Sequence, residues 1–140
     1  TPKNTSHSTP RILLVEDNPV NQFVAKEMLE QLGCKVQLAE NGSEACELVT
    51  NQRFHLVLMD CQMPVMDGYQ ATKSIRTWEQ ENNVVPSVIV ALTAHALSGD
   101  RDRCLQAGMN DYLTKPFTID NLANILKANL ENISLRTAPA

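Results

Sequence analysis

No run in this 140-residue chain approaches the roughly 18 consecutive apolar residues that cross a bilayer, and no secretory leader pattern opens it. The chain is therefore expected to be soluble. Basic residues are also scarce: twelve Lys and Arg against sixteen Asp and Glu leave a formal charge of −4. A phosphate-backbone surface needs clustered Lys and Arg, and scattered ones do not supply it, so direct nucleic-acid binding is excluded. Metal-ligand cysteine spacing is absent too. Cys34, Cys46, Cys61 and Cys104 fall in no CxxC or Cys/His pattern and lie inside periodic apolar segments, so they are expected as reduced, buried thiols. No internal repeat or low-complexity tract competes with a globular reading.

What is present is 43% hydrophobic content, enough at this length for one domain that needs no metal or disulfide staple. Residues 1–10, TPKNTSHSTP, are polar and bracketed by prolines, which predicts a linker or disordered segment. Residues 131–140 are expected to be a second tail, leaving a folded domain over 11–130 within a longer parent. Short apolar runs at Ile12–Val15, Val36–Ala39, Leu56–Met59, Val88–Leu92 and Tyr112–Leu113 have strand length. Their continuous rather than alternating apolarity requires cover on both faces, as in a parallel sheet. Between them lie helix signals. Asn18-Pro19 suits an N-cap and first helical residue, Ser43, Asp67, Ser98 and Thr118 are further candidate caps, and Gly33 and Gly108 mark helix ends. Alternation of this kind predicts an α/β fold, a three-layer, doubly wound, five-stranded parallel sheet with five helices.

Polar residues follow four of the five strands: Glu16-Asp17, Asp60, Thr93-Ala94 and Lys115-Pro116. The carboxyl ends of parallel strands share one edge, where ligands bind, so these groups are expected to converge. Two carboxylates about 5 Å apart repel by roughly 3 kcal/mol at an effective dielectric near 20, and one lysine offsets one charge. Hard oxygen donors without His or Cys favour Mg²⁺, which leaves coordination positions for a phosphoryl oxygen. A carboxylate so placed is a competent phosphoryl acceptor. Ordinary structural roles stand beside each residue: the acid pair as a helix N-terminal feature, Asp60 as a turn residue, Thr93 as a β-former, Lys115 as a solvated charge. Asp67, followed by glycine, reads first as a turn and N-cap rather than another catalytic acid.

VEDN at 15–18, LMDCQMPVMDG at 58–68, ALTAHA at 91–96 and YLTKPF at 112–117 together resemble the receiver domain of two-component response regulators. The likeness covers about residues 11–130. It implies the flavodoxin-like strand order 2-1-3-4-5, which the pattern of runs does not by itself establish. It implies Asp60 as phosphoacceptor from a phosphohistidine, with Mg²⁺ held by Asp17, Asp60 and the backbone carbonyl of Gln62, and by Glu16 through water. Lys115, the Thr93 hydroxyl and the Ala94 amide would bind phosphoryl oxygens, and the Lys115-Pro116 bond would be cis. Thr93 and Tyr112 would form the conformational switch, while Gln62 and His95 occupy positions that tune dephosphorylation. The likeness further implies a cytoplasmic domain of a phosphorelay, the receiver of a hybrid histidine kinase that is itself membrane-bound or soluble.

Helical period places Val24, Ala25, Met28, Leu29 and Leu32 on the core stripe of the first helix, with Phe23 nearly opposite and Val20 at the margin. Exposed apolar residues beside the site suit docking of a helical donor, either a histidine kinase phosphodonor domain or a histidine phosphotransfer protein. Three other functions compete. An aspartate-nucleophile phosphatase needs a second Asp where Gln62 stands. A flavin mononucleotide carrier needs a phosphate-cradling loop where Glu16-Asp17 would repel it. A degenerate receiver serving only protein binding would have lost the acceptor, the acid pair or the lysine.

Overall fold

The computed structural model describes residues 9–61, 66–93 and 98–130, with backbone alone at 98–101. Five strands and five helices alternate: β1 (Arg11–Val15), α1 (Pro19–Gln31), β2 (Lys35–Ala39), α2 (Gly42–Asn51), β3 (Leu56–Asp60), α3 (Gly68–Glu81), β4 (Ile89–Thr93), α4 (Ser98–Ala107), β5 (Asp111–Thr114) and α5 (Ile119–Asn129). All strand pairs are parallel, in the order β2-β1-β3-β4-β5. The five expected runs are these five strands, with ends moved by a residue or so. Residues 1–8 of the predicted linker 1–10, the predicted tail 131–140, and the positions Gln62, Ala94 and His95 lie outside the described residues.

Strand alternation explains the continuous apolar runs. Leu13, Val15, Val57, Met59, Ile89 and Ala91 enter one core, closed by Ala45 and Val49 of α2, Ala71 and Ile75 of α3 and Cys104 of α4. Ile12, Leu14, Leu56, Leu58, Val90 and Leu92 enter the other, closed by Ala25 and Leu29 of α1 and Leu122 and Leu126 of α5. Central β3 and β4 are buried along their whole length, whereas edge strand β2 alternates between exposed and covered positions, which is why its run is the weaker one in sequence.

Caps follow local chemistry. Asn18 Oδ1 accepts from the Val20 and Asn21 amides at 2.9 and 3.1 Å, and Thr118 and Asp67 each close a reciprocal capping box. Gly33 and Gly108 both adopt positive φ beyond a helix end, as expected of a left-handed terminator. The cap expected at Ser43 is instead Asn41, whose Oδ1 accepts from the Glu44 amide at 2.8 Å; Ser43 already lies within α2. Ser98 is the first residue of α4. Val24 also departs from the sequence reading: it is 45% exposed, because the stripe of α1 that meets the sheet is narrower and centred on Ala25 and Leu29.

Cys34 is buried against the α1 and α5 face, and burial pushes its thiol up from 9.0 to about 11. A folded-state pKa above the unfolded one means the contribution is fully present below pH 9.0. It is lost as pH rises through about 11, because the unfolded chain releases its proton first. Cys34→Ala is therefore expected to flatten the alkaline limb of the melting temperature against pH, read by circular dichroism between pH 8 and about 11. Parallel limbs for the two chains would contradict this account.

Candidate functional site

Counting along the strands already aims three ionisable side chains at one place. Glu16 continues the parity of Ile12 and Leu14, Asp60 that of Leu56 and Leu58, and Lys115 that of Leu113, all on the α1 and α5 face. The register sets them level: Leu14 pairs with Leu38, Val15 with Met59, Asp60 with Leu92, and Thr93 with Thr114. At the carboxyl edge, Lys115 Nζ donates to Glu16 Oε1 at 3.0 Å and to Asp60 Oδ2 at 3.2 Å. Glu16 and Asp60 are 2% and 5% exposed, so this shared ammonium offsets the cost of burying both carboxylates. The bond to Glu16 adds a second carboxylate partner to a lysine expected to bind phosphoryl oxygens. Burial alone lowers the Lys115 pKa, but the Glu16 hydrogen bond and the Asp60 and Glu16 charges outweigh it, leaving the ammonium above its usual 10.5.

Local bonds set the acid pair. Asn18 donates its amide to Glu16 Oε2 at 3.2 Å, and Gln22 Nε2 donates to the Glu16 carbonyl at 2.6 Å, so the first turn of α1 holds Glu16 inward while Asp17 stays exposed. Nothing in the sequence marks Gln22, since a helical glutamine carries no distinguishing pattern. In sequence Gly68 signals only a turn. Its amide donates to the Cys61 carbonyl at 3.3 Å, and a Cβ there would overlap the Asp60 carbonyl oxygen, so α3 can begin this close to the acceptor strand only with glycine. Asp67 is committed to its capping box and is not part of the acid cluster.

Ligand atoms of Glu16, Asp17 and Asp60 all lie within 4.8 Å of one another. Each pair of charges at that spacing repels by roughly 3 kcal/mol at an effective dielectric near 20. Three carboxylates and one ammonium leave two negative charges, and the donors are all oxygen. That set fits a hard divalent cation of the Mg²⁺ kind. Thr93 is buried at the end of β4, where its carbonyl accepts from the Lys115 amide at 2.7 Å. Tyr112 is half-buried on edge strand β5 and packs against the core shared with α3 and α4. The Lys115-Pro116 peptide is cis. Val20 and Phe23, 70% and 65% exposed, stand on α1 beside a cleft of about 350 Å³ lined by Glu16, Val24, Met28, Lys115 and Phe117.

A parallel sheet in the order 2-1-3-4-5, with an acid cluster and one lysine gathered at its carboxyl edge, defines a flavodoxin-like α/β domain whose ligand chemistry lies at that edge. Residues 12–127 match the model of the response regulator receiver domain, and the chain belongs to that family. The family comprises phosphoacceptor signalling domains rather than catalytic enzymes. The sensor histidine kinase GacS of Pseudomonas protegens is 46% identical over 121 residues, covering 86% of this chain and 13% of that protein. The chain thus spans about an eighth of that relative's length. The receiver domain of sensor histidine kinase PA1611 from Pseudomonas aeruginosa, solved with a magnesium ion coordinated in its active site cleft, is 52% identical with a TM-score of 0.77, covering 87% of this chain and 98% of that one. A co-crystal structure of the Saccharomyces cerevisiae histidine phosphotransfer protein Ypd1 with the receiver domain of its downstream response regulator Ssk1 matches with a TM-score of 0.83. Identity there is 36%, over 86% of this chain and 88% of that one.

Proposed function

We propose that this chain is the receiver of a hybrid sensor histidine kinase and accepts a phosphoryl group from a phosphohistidine onto Asp60. One observation carries the reading: Asp60, buried at the end of the central strand β3, meets Glu16, Asp17 and Lys115 at the sheet edge. Asp17, Asp60 and the Gln62 carbonyl would hold Mg²⁺, with Glu16 acting through water. When bound, the ion supplies charge neutralisation between the carboxylates and the incoming phosphoryl oxygens. The Asp60 carboxylate oxygen attacks phosphorus in line with the departing imidazole nitrogen; an O–P bond forms, the N–P bond breaks, and its electron pair stays on the imidazole. Lys115, already aimed between Glu16 and Asp60, exchanges its Asp60 contact for a phosphoryl oxygen. The Thr93 hydroxyl and Ala94 amide bind the remaining oxygens, and Tyr112 follows Thr93 inward. Gln62 and His95 set water access and hence the lifetime of the acyl phosphate.

The test is intact mass after incubation with acetyl phosphate and Mg²⁺. A single base-labile phosphate mapping to Asp60, lost on chelation, is expected; labelling that persists in excess chelator would defeat the metal assignment.

The donor is of the histidine phosphotransfer or kinase dimerisation kind, and its helices meet α1 at Val20 and Phe23. A helical partner suits this face because the two exposed side chains lie one turn apart beside the acceptor edge. Phe23→Ala is expected to slow transfer from the donor protein about tenfold while labelling by acetyl phosphate is unchanged. Equal loss in both assays would remove α1 from the docking surface. Among the described residues no helix is long and apolar enough to cross a membrane. The domain works in the cytoplasm, as part of a sensor kinase whose other segments determine its attachment.

A further inference from the structure

Directly after the acceptor, phosphoryl transfer leaves a pair of thiols unused. Cys61 Sγ and Cys104 Sγ lie 4.0 Å apart, bringing together residues separated by 43 positions, and are 3% and 1% exposed. Cys61 continues β3 past Asp60, and its amide donates to the Leu92 carbonyl, while Cys104 belongs to α4. Over the pair, the Arg103 guanidinium stacks 4.3 Å from the centroid of the Tyr69 ring, joining α4 to the first turn of α3. Tyr69 packs against the core cluster that holds both cysteines. No other cysteine competes: Cys34 lies on the opposite face of the sheet, and Cys46 contacts Met66 sulfur rather than a thiol.

We propose that Cys61 and Cys104 form an oxidisable dithiol, a modification site at which a hydroperoxide produces a disulfide tying α4 to the end of β3. A disulfide needs sulfurs about 2.05 Å apart, so they must approach by about 2 Å through side-chain rotation and a small shift of α4. Cys61 sulfur attacks one peroxide oxygen; the S–O bond forms, the O–O bond breaks, and the departing hydroxide leaves as water with the proton of the Cys61 thiol. Cys104 sulfur then attacks the Cys61 sulfenic acid, the S–O bond breaks, and water leaves with the Cys104 proton. The two sulfurs give up two electrons, and hydrogen peroxide, accepting them, becomes two waters. Both sulfurs are almost wholly buried, so the closed pair is slow to meet peroxide and opening of the Tyr69–Arg103 cover limits the rate.

The reduced chain should be treated with hydrogen peroxide at neutral pH, alkylated, and analysed by intact mass and non-reducing peptide mapping. A product lighter by two hydrogens, with the Cys61 and Cys104 peptides joined and released by dithiothreitol, is expected. Arg103→Ala should form it roughly two- to fivefold faster, since a partly exposed cation–π contact is lost. Cys61→Ala and Cys104→Ala should each abolish it; if either fails to fold, the parent's peptide map still decides. Linkage through Cys34 or Cys46, sulfinic or sulfonic acid without a crosslink, or an Arg103→Ala rate equal to the parent's would overturn the proposal. Each of these outcomes is read without reference to phosphorylation of Asp60.

Discussion

Asp60→Asn is expected to lose phosphoryl labelling altogether, by acetyl phosphate and by a phosphohistidine donor alike, a fall of about 10³-fold or more in rate. The substitution is isosteric but replaces a charged oxygen nucleophile with a neutral amide, whose oxygen has little nucleophilicity toward phosphorus. It also removes one of the three carboxylates whose ligand atoms lie within 4.8 Å, and one of the two acceptors of Lys115 Nζ. The fold should persist, because Lys115 keeps its 3.0 Å bond to Glu16 and the introduced carboxamide fills the same volume as the carboxylate. The check is phosphate incorporation by intact mass beside a thermal melt. A folded variant that still takes up phosphate at the parent's rate would place the acceptor elsewhere and end the reading of the site.

Arg76→Ala is expected to be the most destabilising substitution outside the apolar cores, at about 3 kcal/mol. At the sheet edge opposite the acceptor, Arg76 Nε donates to the Gly108 carbonyl, NH1 to Glu79 Oε1 and to the Ser87 carbonyl, and NH2 to Asn110 Oδ1, each at 2.8 Å. Glu79, 3% exposed, also accepts from the Ser87 amide at 2.6 Å, and Asn110 Oδ1 accepts from the Ile89 amide at 2.8 Å. One guanidinium thus ties α3, the start of β4 and the turn entering β5. Its loss strands a buried carboxylate and two backbone carbonyls, which costs more than the pair contributes while intact. A melting temperature lower by about 10 °C is expected. Glu79→Gln in the Arg76→Ala background should recover part of it, since a neutral amide oxygen still accepts from Ser87 without an unpaired charge. Urea midpoints of the two variants and the parent check both statements, and an Arg76→Ala midpoint within error of the parent's would refute them.

The Arg76 clasp had no signal in sequence. Arg76 and Glu79 at i, i+3 look like any surface pair on a helix, and Gly108 and Asn110 look like turn residues. Only the packing of α3 against the β4 and β5 connections buries Glu79 and turns an ordinary pair into a clasp. The site lies at the other extreme. Glu16, Asp60 and Lys115 each follow an apolar run, and their strand parity could have been counted to put all three on one face. Periodicity misplaced Val24 because α1 buries a stripe narrower than its apolar arc. Asn41 was missed as a cap because Ser43, an equally good capping residue, stands two positions later.

Strand length, continuous apolarity and the polar residue after each run are local properties, and they sufficed for five strands, five helices and an acidic edge. Which groups touch there is a matter of register between segments far apart in the chain. Lys115 reaches Glu16 across 99 positions and Asp60 across 55, and Cys61 meets Cys104 across 43. Those contacts exist only once parallel ladders have set the strands level and the helices have closed over both faces, so tertiary packing alone decided them.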